Sequence, residues 1–121
     1  MPDFQALPVW FRELGPTYRA IDPDGVDRWL EIEQSSRHRE GNKNPNKVRN
    51  HFTLELLGTL DVPTLVIASD ADLYAAPPRM SALADHIAGS EFAVVPEAGH
   101  AAHWEQPAAW NRLVLAFIQS H

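Results

Sequence analysis

Residues 64–72 read TLVIASDAD, an apolar run with no alternation that ends in two carboxylates one residue apart. A strand apolar on both faces suits a parallel sheet covered by helices on each side. The flanks repeat the same grammar. Upstream, HFTLELLG predicts a short helix followed by a link that ends at Pro63. Downstream, Pro78 opens a helix whose Met80, Leu83, Ala84 and Ile87 fall at i, i+3, i+4 and i+7, and Gly89 closes it. A second apolar strand is expected at Phe92–Val95. A last helix begins near Pro107 and carries Trp110, Leu113, Val114 and Phe117 at helical spacing. Strand, helix, strand, helix reads as an α/β unit with a right-handed crossover.

In open α/β sheets, ligands and chemistry collect at the carboxyl ends of the strands. The first strand runs into Ser69–Asp72 and the second into Pro96–His100, so both loops are expected at one rim. A carboxylate and an imidazole in that order can work together. The carboxylate fixes the ring tautomer and stabilises the imidazolium, which leaves the other ring nitrogen free to take a proton from a nucleophile. On the residues alone, a structural role for His100 remains the commoner reading.

VPTLVIASDADLYAAPP followed by VVPEAGHAAHWEQPAAWNRLVLAFI resembles the C-terminal part of an α/β-hydrolase, its last two strands and helices. The resemblance implies that Asp72 is the triad acid, with Asp70 the weaker candidate, and that His100 after Gly99 is the triad histidine. Ser69 stands where the family usually has glycine. Tyr74, Ala101 and Trp104 are candidates to line a pocket. Residues 1–51 are similar to a helical lid inserted before the seventh strand, and residues 52–121 to the C-terminal core segment, the two forming one domain. The implied fold is therefore a partial α/β-hydrolase: a short parallel sheet flanked by helices, with a helical lid segment. The implied reaction is hydrolysis of an ester or related bond, as in esterases and carbon–carbon bond hydrolases, with no cofactor and no metal.

A nucleophile elbow of the form G-x-S-x-G is missing. The six glycines, at 15, 25, 41, 58, 89 and 99, include no pair four apart, and cysteine is absent. The chain thus carries an acid and a histidine without the group they would activate. Two readings follow: part of a hydrolase that another half completes, or a non-catalytic remnant that serves as an interaction or complementation module. HAAHWE could be read as a metal site of His100, His103 and Glu105, but it lacks the i, i+4 histidines and defined third ligand of helical zinc sites.

Composition narrows the setting. With 121 residues the chain has the size of one domain. Ten basic against sixteen acidic residues give a net charge of −6, which argues against nucleic acid or anionic lipid as a general partner. No apolar run is long enough to span a bilayer. MPDFQALPVWF shows neither early positive charge nor a small-residue cleavage site, so no signal peptide is expected, and a cytoplasmic setting follows from the lack of cysteine.

The N-terminal part is amphipathic. In IDPDGVDRWLEIEQ, Asp22 can cap, Pro23 suits the first turn, and Val26, Trp29 and Leu30 share one face. RHREGNKNPNKVRN, residues 37–50, is polar and basic and reads as a solvated loop, with anion binding as the lesser alternative. Ser35 and Ser36 lie beside no base and read as surface residues. A strand with one open edge and a lid helix short of surface predict self-association or docking onto a separate N-terminal half.

Overall fold

The computed structural model describes residues 3–36 and 52–121. The basic stretch 37–50 lies outside them, and with it the anion-binding alternative. After a 3-10 turn at Phe4–Ala6 come α1 (Val9–Glu13), α2 (Pro16–Ile21) and α3 (Pro23–Ser36). Then follow α4 (Leu54–Leu57), β1 (Leu65–Ser69), α5 (Pro77–Ala84), β2 (Glu91–Val95), α6 (Ala102–Glu105) and α7 (Pro107–Ser120).

β1 and β2 pair in parallel, with Val66 opposite Phe92 and Ala68 opposite Val94. Among the described residues β1 has no second neighbour. β1 offers side chains to two helical layers, as its unbroken apolar run requires. Val66 packs with Ala84 and Ile87 beneath Met80 and Leu83 of α5. Ile67 and Val95 pack with Ala98, Ala102 and the α7 residues Ala109, Trp110 and Leu113. Val95, at the end of β2, is fully enclosed.

Helix α5 stops at Ala84 rather than running on to Ile87. The backbone tightens there, with His86 N–H donating to Leu83 O and Ile87 N–H to Ala84 O, and Gly89 closes the turn at φ 72°. Ile87 nevertheless reaches the core from that turn.

The N-terminal helices cover the histidine loop. Leu14, Tyr18 and Ala101 form a cluster against which Val26, Trp29 and Trp104 pack. The apolar stripe of α3 therefore has a surface to lie on within the chain, supplied by α2 and by the segment after β2. Asp22 caps α3 through Oδ1, which accepts from Gly25 N–H at 2.9 Å, and its Oδ2 accepts from the Tyr18 hydroxyl at 3.1 Å. Among the described residues, no helix is long and apolar enough to cross a membrane.

Candidate active site

Asp72 and His100 meet where β1 and β2 end. His100 Nδ1 lies 3.0 Å from Asp72 Oδ2, and because an ionised carboxylate only accepts, the ring N–H donates. The Asp72 side chain is 8% exposed and that of His100 is 49% exposed, so the acid is enclosed while the ring keeps a face in solvent. The other carboxylate oxygen is also committed. Oδ1 accepts from Tyr74 N–H at 2.7 Å and from Ala75 N–H at 3.2 Å, an Asx-type turn that aims the remaining oxygen at the ring. Asp70 is exposed and contributes its backbone, whose N–H donates to Val95 O.

The two loops are laced together. Ala71 N–H donates to Ala98 O at 2.9 Å, a cross-link between the acid loop and the histidine loop just behind the side-chain pair. The turn entering the histidine loop places Glu97 at φ 55°, in the left-handed region that costs an L-residue about 1–2 kcal/mol. Tyr74 leans on the imidazole, with centroids 4.8 Å apart and planes at 48°, and Phe4 meets Tyr74 edge-on at 5.2 Å.

The remaining candidates sit elsewhere. Ala101 is buried with Leu14 and Tyr18. Trp104 packs on that cluster and borders an open groove of about 650 Å³ with Tyr18, Asp22, Arg28 and His103. The His103 ring packs against Trp110, with centroids 5.9 Å apart. Among the described residues no group of three or more His, Asp or Glu side chains is arranged to hold a metal ion.

Glu105 has a place that spacing alone does not reveal. It is 7% exposed and its carboxylate turns inward. Oε2 accepts from Gly15 N–H at 2.7 Å and from Gly99 N–H at 3.0 Å, and Oε1 also lies 3.0 Å from Gly99 N. Burial pushes this carboxyl above its ordinary range, against the downward pull of the same amides and of the Arg19 charge. The Glu13 carbonyl accepts from His100 N–H at 2.7 Å and from Ala101 N–H at 3.3 Å. The only hints in the sequence are two glycines and a glutamate two residues ahead of Pro107, each commonplace alone.

No protein-family model and no curated protein matches the chain. Solved structures do. A thermophilic esterase from Thermogutta terrifontis matches with a TM-score of 0.73 at 22% identity, over 98% of this chain and 44% of that one. Est816, described as an N-acyl homoserine lactone degrading enzyme, matches with a TM-score of 0.71 at 24% identity, over 89% and 44% of the two chains. MGS-M2, an α/β-hydrolase enzyme from a Medee basin deep-sea metagenome library, matches with a TM-score of 0.68 at 21% identity, over 89% and 41%. The chain has the α/β-hydrolase fold in part, corresponding to its C-terminal portion, and spans less than half the length of the structures it matches.

Proposed function

We propose that the chain is the acid-and-histidine portion of a serine hydrolase acting on an ester or related bond, with Asp72 and His100 as its acid and base. The observation that carries this is the Asp72–His100 hydrogen bond at the shared rim of the sheet, with the carboxylate enclosed and the imidazole half exposed. The nucleophile comes from another polypeptide segment, since no G-x-S-x-G elbow occurs in these 121 residues. In a completed site, His100 Nε2 takes the proton of the serine hydroxyl as its oxygen attacks the carbonyl carbon, and Asp72 stabilises the imidazolium. The same proton then goes to the leaving oxygen. Water, deprotonated in turn by Nε2, releases the acid and regenerates the serine.

Pairing is part of this reading. β1 has one neighbour among the described residues, and Phe92 and Val94 stay 39% and 40% exposed. A separate N-terminal half is the natural cover, and a symmetric pair of this chain is the alternative when no such half is present. The lack of cysteine keeps a cytoplasmic setting as our reading.

The open edge and the missing elbow also favour a second reading, in which the chain is a non-catalytic interaction module of the same fold. One experiment separates them. The chain is assayed with a short-chain activated ester alone and after addition of an N-terminal half bearing a G-x-S-x-G elbow. The hydrolase reading expects no burst from the chain alone, and turnover with phosphonate labelling of the added serine in the mixture, both lost with His100→Ala. A complex that forms without labelling or turnover establishes the module instead.

A further inference from the structure

We propose that Glu105 is a positioning residue for His100: its buried carboxylate draws the amide groups of Gly15 and Gly99 together and so locks the histidine loop onto the turn between α1 and α2. The proposal rests on the reading of His100 as the base of the site. It concerns a residue that stands outside the Asp72–His100 pair.

The bonds close a ring. Glu105 accepts from Gly99 and from Gly15, while Glu13, two residues before Gly15, accepts through its carbonyl from His100 and Ala101. The segment 13–15 thus holds residues 99–101 by main-chain bonds and one carboxylate. The approach leaves no room for side chains. A Cβ on Gly99 would lie 2.5 Å from Gly15 N and 2.7 Å from Glu13 O, and one on Gly15 would lie 2.8 Å from both Gly99 N and Glu105 Oε2. The contacts with Gly15 N, Glu13 O and Gly99 N are to backbone and cannot be relieved by a rotamer change.

A carboxylate fits the place better than an amide. An amide in its place accepts at one atom only, and because Gly99 N lies 3.0 Å from both Oε1 and Oε2, either orientation sets an –NH2 against the Gly99 N–H. On its other side the histidine loop is tied to the acid loop by Ala71 N–H to Ala98 O. With both ties in place, the peptide leading into His100 is fixed in position and direction, and the ring is delivered to Asp72. Freed on the Glu105 side, residues 99–101 are held from one direction only.

The test reads the imidazole directly in the full chain, without a nucleophile. In the unaltered chain, ¹⁵N shifts of the neutral His100 ring should report mainly the Nδ1–H tautomer, since that nitrogen donates to Asp72. In folded Glu105→Gln the ratio of Nδ1–H to Nε2–H should fall at least about twofold, toward the Nε2–H form that free histidine prefers. Leu83→Ala, which weakens the α5 contact with Val66, Ala84 and Ile87 away from the histidine loop, should leave the ratio unchanged and so separates positioning from general destabilisation. An unchanged ratio in folded Glu105→Gln overturns the proposal. Should that variant fail to fold, amide exchange in the unaltered chain decides. Gly15, Gly99 and His100 should open together, within about twofold of one another, and a His100 amide exchanging more than about tenfold faster than Gly99 overturns it. Failure of the hydrolase reading would show as absent turnover in the completed enzyme and would leave these measurements as they are.

Discussion

The carboxylate of Asp72 divides its two oxygens: Oδ1 accepts from the amides of Tyr74 and Ala75, and Oδ2 faces Nδ1 of His100 at 3.0 Å. The turn that builds the loop also orients the acid, so the ring meets an oxygen that cannot rotate away without giving up two main-chain bonds.

That division sets the outcome of Asp72→Asn. The amide oxygen should stay with Tyr74 and Ala75 N–H, which puts the –NH2 against His100 Nδ1 and drives the ring to its Nε2–H tautomer. In the chain alone, ¹⁵N spectra should show that inversion. In a completed enzyme kcat should fall on the order of 10⁴-fold, because Nε2 can no longer accept a proton.

Gly99→Ala should destabilise the chain by about 1–3 kcal/mol, since the added methyl meets the Gly15 amide and the Glu13 carbonyl, both backbone groups. Urea unfolding followed by tryptophan fluorescence measures it. Gly58→Ala, whose nearest atom is the Glu55 carbonyl at 3.3 Å, should cost less.

Glu97→Gly relieves a left-handed conformation at φ 55° while freeing the unfolded chain. The first effect is the larger, and a net gain of about 0.5 kcal/mol is expected in the same unfolding measurement.

Glu105 makes stability depend on pH. Its carboxyl is raised in the folded chain above the ordinary value of 4.5, so the folded state binds the proton more tightly than the unfolded state. The stability this contributes is full below the unfolded value and is lost as pH rises through the folded one. Comparing unfolding of the unaltered chain with Glu105→Gln from about pH 4 to pH 7, the advantage of glutamate over glutamine should shrink as pH rises. A difference that grows over that range would contradict the burial-driven shift.

The strand–helix–strand–helix order from β1 to α7 and the pairing rim were legible in the residues, whereas α1, α2 and the short α6 were not. The uninterrupted Leu65–Ser69 run requires cover on both faces, and the helical spacing of Trp110 and Leu113 names the face that α7 turns inward. These signals are local, set by periodicity and by the chemistry of neighbouring residues. The lie of α3 was not legible, because its stripe of Val26 and Trp29 states a need for a surface without saying which one.

What the sequence by itself determined is the succession of strand and helix, the positions of an acid and a histidine after two parallel strands, and the lack of an elbow serine or a cysteine to serve as nucleophile. Only the tertiary structure decided that Asp72 and not Asp70 meets the ring, because that depends on how one tight turn spends its amides. It also decided that Gly15, ninety residues from Glu105 in the chain, shares that carboxylate with Gly99. Contacts between distant segments arise from packing, and the desolvated carboxylate is tolerated there because folding brings N–H groups to it from both segments at once.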